Sequence, residues 1–299
     1  MTKLTKLSSL ALTTAVALFV MALTAGTAQA DIITFTVNET AVPGAIPRTF
    51  SADGLTGKYE EAVNLTPSIS DPSTGTFSSS IIVLFGKYTN GGITAPDQLG
   101  APGAEAQFPN EYVLYALVTV SGTYSTGTLL GVTATGFQPT DAAARLYVDP
   151  LQNDTGNYTV PSATDATGTA SMSGNTSADD QLILTANNIL PFPQSNGFVF
   201  TAGGAVVGGS YALVFTDPTL TAFGNLYWPD LEALGLTFAI ASGDVDPASE
   251  GSVFPTDVKG DTSISFLNGT PVPEPATLFL LGSGLMGVAG WRRRRTAAN

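Results

Sequence analysis

The sequence predicts an all-β exported domain with a sandwich-like antiparallel core, set between an N-terminal signal helix and a C-terminal short transmembrane helix. Three observations carry this. Short runs of β-branched and aromatic residues recur between clusters of Gly, Pro, Asn and Asp, the rhythm of strands and turns. No stretch of the interior holds a long amphipathic helical period. Both ends are apolar runs flanked by basic residues, the pattern of membrane-directed segments rather than of core structure.

Taken in order, Lys3 and Lys6 form a basic n-region, residues 10–23 an apolar h-region, and Ala28-Gln29-Ala30 a small-residue cleavage site. These are the parts of a secretory signal peptide, residues 1–30, whose removal leaves Asp31 as the first residue. The Sec translocon and signal peptidase are the partners this implies. The exported all-β domain is expected over residues 31–270. Strands are read at 32–37, 77–85, 112–120, 182–186, 198–201, 205–215 and 263–266. In 211–215, Tyr211, Leu213 and Phe215 share one face, the period of a half-buried strand. Residues 112–120 are almost continuously apolar, which predicts burial on both faces. Val113, Val118, Thr119 and Val120, stiff at χ1, favour sheet over helix there. Asn90-Gly91-Gly92, Gly203-Gly204 and Gly208-Gly209 read as turns, 230–234 as a single helical turn, and the polar stretch 154–174 as a surface loop. There is no repeat of fixed period, and strand topology is not legible.

The C-terminal segment, residues 271–299, has three parts. Pro273 and Pro275 flank Glu274, lack amide donors and keep the backbone extended. Residues 276–291 are apolar and would span roughly 24 Å as a helix, short of the ~30 Å hydrocarbon core. Arg292, Arg293, Arg294 and Arg295 hold that end in the cytoplasm. This ending resembles the PEP-CTERM sorting signal of Gram-negative bacteria. The resemblance implies transient anchoring in the inner membrane, removal of the tail by an integral-membrane exosortase, and delivery to the cell surface or extracellular matrix. The body adds Val42-Pro43-Gly44-Ala45, Leu114-Tyr115-Ala116, Leu146-Tyr147-Val148-Asp149-Pro150, Gly224-Asn225-Leu226-Tyr227-Trp228-Pro229 and Gly243-Asp244-Val245-Asp246. In that order they resemble the flocculation-associated PEP-CTERM proteins, although residues 230–234 depart from that pattern, which has a further aromatic. The implied role is aggregation of cells within an exopolysaccharide matrix, as in flocs and biofilm.

Composition excludes several chemistries. The formal net charge is −13. Between the two terminal segments the basic residues are Arg48, Lys58, Lys87, Arg145 and Lys259, scattered singly. Such a body has no electrostatic footprint for nucleic acid and is repelled by anionic lipid. Without cysteine, an exported domain must rely on an ordinary packed core. Without histidine, the commonest general base and the commonest metal ligand are both missing. Ser-His-Asp and Cys-His catalysis cannot be assembled from this chain.

What remains is sparse. The sequence Gly282-Ser283-Gly284-Leu285-Met286-Gly287 spells a dinucleotide fingerprint but lies in the apolar tail, where small residues suit close helix approach. Glu60-Glu61 and Asp179-Asp180 are adjacent carboxylates, and neighbours in a strand point to opposite faces, so neither is a ready acid–base couple. Asp244 and Asp246, with Glu250, read as an acidic loop, solvated or weakly calcium-binding through oxygen. Tyr227 and Trp228 are either an exposed platform for sugar rings or core packing beside a turn, and packing is the more frequent role. The expectation is a non-enzymatic matrix protein without a cofactor, calcium apart. The alternatives are a carboxylate-dependent polysaccharide-active enzyme and a calcium-dependent carbohydrate-binding module.

Overall fold

The computed structural model divides into two compact units, Met1–Ala30 with Pro271–Asn299, and Asp31–Thr270. The structure describes residues 31–91, 93–98, 112–129, 131–150, 158–159, 171–172, 179–192, 194–203, 205–231, 236–245 and 258–268, all in the second unit. Ala28, Ala30, the expected tail helix and the sorting residues Pro273, Glu274, Pro275 and Arg292 to Arg295 lie outside them. Among the described residues no helix is long and apolar enough to cross a membrane.

Eight strands make the body: β1 (Gly54–Pro67), β2 (Thr74–Asn90), β3 (Val113–Leu129), β4 (Val132–Asp149), β5 (Asn196–Ala202), β6 (Ala205–Thr216), β7 (Leu236–Val245) and β8 (Val258–Asn268). Each pairs antiparallel with its successor. The last then pairs with the first, from Val258 opposite Glu61 to Ser265 opposite Gly54. The ladder therefore closes into an up-and-down barrel, which removes exposed strand edges. The expected all-β antiparallel class holds, and opposite walls pack on one core as the sheets of a sandwich do. Closure is the feature the sequence did not disclose.

The barrel follows from period-two patterning. On β1, Leu55, Tyr59 and Val63 are buried while Lys58 and Glu60 are exposed. On β2 the inward set is Phe77, Ile81, Val83 and Phe85, and on β3 Leu114, Ala116, Val118 and Val120. At about 25 cal/mol per Å² of apolar surface, this lumen is the main source of stability. The double-sided burial expected for residues 112–120 holds over its first half, where Tyr112, Val113, Leu114, Tyr115 and Ala116 are all buried.

The strand β5 closes the barrel at one end only, pairing with residues 132–137 of β4 and 205–212 of β6. Toward the other end β4 passes to Gln181–Ala186 and β6 to Asn188–Ile189. That end is covered by the hairpin Phe35–Asn38 with Thr49–Ala52, the 3-10 turn Glu39–Ala41, and helix α1 (Ala222–Tyr227). The N-cap of α1 is Thr221, whose hydroxyl accepts the Gly224 N–H at 3.0 Å, as N-cap threonines do. A β-carbon at Gly224 would sit 2.1 Å from the Ile183 carbonyl oxygen, so glycine is what lets the helix press onto the neighbouring strand. Outside the barrel, Asp31–Ile32 pairs with the end of β8, Asp31 opposite Asn268.

Two local expectations need correction, and a third falls partly outside the described residues. A helix not read from the sequence runs over Ala222–Tyr227; of the helical turn expected at 230–234, Asp230 lies in a turn and Leu231 in a 3-10 turn, and residues 232–234 lie outside the described residues. The carboxylate of Asp230 accepts the Thr36 N–H, 2.9 and 3.0 Å from its two oxygens, tying the hairpin to the segment after the helix. Gly208-Gly209 is a register shift inside β6 rather than a turn. Within 154–174, Tyr158–Thr159 pairs with Ser171–Met172.

Candidate functional site

The two ends of the barrel are built differently. At the covered end, Tyr227 and Trp228 are 0% exposed. The Trp228 ring packs edge-on against Phe35 at 5.5 Å and Phe266 at 5.3 Å. Offset and edge-to-face contacts of this kind add to the gain from area alone. The platform for sugar rings at Tyr227 and Trp228 is thereby overturned, since neither ring has a face open to a ligand. Burial follows from Gly224 drawing α1 onto the sheet, which turns the next residues inward.

Those rings leave polar groups to satisfy. The hydroxyl of Tyr227 is hydrogen-bonded to those of Tyr88 and Tyr112. Tyr112 then donates to Glu39 Oε1 at 2.9 Å, and Arg48 Nε donates to Glu39 Oε2 at 3.1 Å. Glu39 is 1% exposed, a buried carboxylate of the sort that persists only when paired. Burial pushes the Tyr88, Tyr112 and Tyr227 hydroxyls well above the ordinary tyrosine range, and the Glu39 charge adds to it. The Trp228 N–H lies near enough to Tyr88 to act against that shift while falling short of a formed hydrogen bond. Apart from that indole N–H the network closes on itself, and such an arrangement holds a structure together rather than facing a substrate.

The opposite end holds a cleft. About 50 Å³ of open space lies in the lumen where β1, β2, β3, β4, β5, β6 and β8 converge, room for roughly four water-sized groups. Most of the wall is apolar, with Phe77 and Phe137 edge to face at 4.9 Å. The exceptions matter most. Glu61 faces the cleft from β1 and accepts a hydrogen bond from the Ser79 hydroxyl. Desolvation pushes its pKa from 4.5 up to about 7, with the Ser79 bond working in the other direction. Across the lumen Tyr211 stacks edge-on with Tyr59 at 5.1 Å and shares a 2.9 Å hydrogen bond with Thr262. Its hydroxyl is pushed up by burial first, opposed by the Thr262 bond, with a smaller contribution from the Glu61 charge.

The void is there partly because Gly197 has no side chain. It stands in register between Phe137 and Tyr211, and an added β-carbon would meet their β-carbons at 3.6 and 3.4 Å. Glycine between two aromatics leaves a hollow under their rings.

The adjacent carboxylates separate as strand geometry requires. Glu60 points outward to Lys259 at 3.3 Å while Glu61 points in. Asp180 accepts from Tyr115 at 2.7 Å. The acidic loop expected around Asp244 is corrected in part, because Asp244 and Val245 are strand residues of β7, with Asp244 opposite Ser210 and Asp261. Asp246 and Glu250 lie outside the described residues. Among the described residues no group of three or more His, Cys, Asp or Glu is placed to hold a metal ion. Glu61 was visible to the sequence only as half of a pair. The stronger signal is its place in Leu55, Gly57, Tyr59, Glu61, Val63 and Leu65, an alternating apolar set interrupted by one acid.

Fold and cleft together define a closed antiparallel β-barrel with an apolar lumen, plugged at one end and hollow at the other. Its tail carries a sorting signal: residues 271–295 match the PEP-CTERM protein-sorting motif. That motif marks an exported protein whose C-terminus is held in the membrane before an exosortase processes it. No curated protein matches the chain. Among solved structures, the crystal structure of a major outer membrane protein from Thermus thermophilus is similar at 10% identity, over 72% of this chain and 98% of that one, with a TM-score of 0.23. A likeness at that level carries no argument.

Proposed function

We propose that this is a non-enzymatic exported protein that, once released from its tail, works at the cell surface or in the extracellular matrix to promote aggregation with exopolysaccharide. The observation that carries the reading is the sorting motif at residues 271–295, joined to a body without histidine or cysteine. A polysaccharide hydrolase of the usual kind needs two carboxyl groups facing each other across the sugar. Among the described residues the lumen cleft contributes one, Glu61. With Tyr227 and Trp228 inside the core, contact with polymer falls to the outer surface of the barrel, through many weak sites on many copies.

Deletion of the gene, with floc formation and secreted polymer followed together, is the test. The expected result is polymer of unchanged amount and length with aggregation lost. Shortened or lengthened polymer chains would overturn the non-enzymatic reading, and unimpaired aggregation would overturn the matrix role.

A further inference from the structure

We propose that the lumen cleft is a binding site for a primary alkylammonium group, with the Glu61 carboxylate as its counter-charge. Independent features converge on that chemistry. The carboxyl of Glu61 faces a mostly apolar hollow and has a hydroxyl, Ser79, as its hydrogen-bond partner. Among the described residues no lysine or arginine lines the hollow; the nearby cations Lys58 and Lys259 are spent outside the barrel on Asp261 and Glu60. Among the described residues this half-buried carboxylate has no opposite charge in contact, the partner that charges out of water require. The contrast with Glu39, which has Arg48, shows what is missing.

The hollow also sets the shape of the occupant. At about 50 Å³ it is narrow, which favours a slender aliphatic stem over a sugar or aromatic ring. Phe77, Phe137 and Tyr211 present ring surfaces to it, and such surfaces hold both methylene groups and the cationic head. The same chemistry occurs on a free alkylamine and at the end of a lysine side chain.

Binding consumes the carboxylate form, so it releases a proton wherever Glu61 is protonated beforehand. With a pKa of about 7, affinity should rise with pH and level off above it. Among the described residues lining the cleft one further group titrates, Tyr211, which stays neutral throughout this range; the other described wall residues do not ionise.

The experiment is a calorimetric titration of the full-length chain, in nonionic detergent, with n-propylammonium at pH 5 to 9. The neutral isostere 1-propanol and the side chain of N-acetyl-lysine methylamide are run in parallel. The expected result is a Kd for n-propylammonium that falls about tenfold from pH 5 to 6 and flattens above pH 8, with 1-propanol at least tenfold weaker at pH 8. Uptake of the lysine derivative as well would mark a protein side chain as a competent source, and its exclusion a free amine. Glu61→Gln keeps an acceptor for Ser79 and should abolish binding of the cation. Gly197→Val keeps the charge and should block the hollow. Equal binding of 1-propanol, a pH-independent Kd, or undiminished binding by a folded Glu61→Gln variant would overturn the proposal. So would the absence of any binding at pH 8.

Discussion

Each end of the barrel turns a glutamate inward beside tyrosine, and the two have opposite fates. At the covered end Glu39 meets Arg48 and Tyr112, with the Tyr112 ring packed edge-on against Tyr227. At the cleft end Glu61 has the Ser79 hydroxyl, beside a hollow. The lesson is that burial and partners together decide what a carboxyl does: Glu39 is fully buried with a cation, and Glu61 is half-buried with a hydroxyl. Supplied with a cation and a donor, it becomes mortar, and left with a hydroxyl, it becomes a titrating group near neutrality.

The comparison can be broken most severely at Trp228. Trp228→Ala should cost about 3–5 kcal/mol in urea unfolding, the range for a large-to-small change in a packed core. A loss under about 1 kcal/mol would mean the covered end is not a plug. Next comes Glu39→Ala, which removes the carboxylate that accepts from both Tyr112 and Arg48. A loss of about 2–3 kcal/mol is expected at pH 7, and a neutral outcome would erase the distinction between the two glutamates.

At the other end the sign reverses. The folded barrel holds the Glu61 proton more tightly than the unfolded chain, with a pKa of about 7 against 4.5. Its contribution to stability is therefore complete below pH 4.5 and is lost as pH rises through 7. The shift corresponds to about 3 kcal/mol at most, and water in the cleft trims that to about 2 kcal/mol. Glu61→Gln should stabilise the protein by about that amount at pH 8, do nothing at pH 4, and flatten the slope between. Smallest of all is the outward pair: Lys259→Ala should change stability by less than about 0.5 kcal/mol, readable as an unmoved urea midpoint.

Where the sequence spoke through apolar runs, it was legible. Nearly all of β6, the second half of β8 and the middle of β2 were read as strands from their aromatic and β-branched residues. Two of the longest strands, β1 and β4, escaped. On β1 the outward set is Lys58, Glu60, Asn64 and Thr66, and Gly57 and Glu61 break the inward one, so the alternation is thin. On β4 the breaker Pro139 sits inside the strand, tolerated because it faces Gly122 at a register shift. Closure was hidden for a further reason: the pairing of β8 with β1 joins residues about two hundred positions apart, and no local period encodes that. Trp228 was ambiguous because an aromatic beside a turn has the same letters whether it faces water or the core, and the glycine that turns it inward acts through a contact with Ile183.

The pairing of Asp31 with Asn268 places the two ends of the folded body side by side. Seen mechanically, a pull on the C-terminal tail enters the barrel through β8, which is hydrogen-bonded to β7 on one edge and to β1 on the other. Drawing that strand out means breaking rungs along both edges, and the adjoining Asp31–Ile32 rungs at the end where the force arrives. A protein anchored by its tail while still in the membrane would thus hang from a strand bonded along both edges, with the strain spread around a closed ring instead of unzipping a free edge.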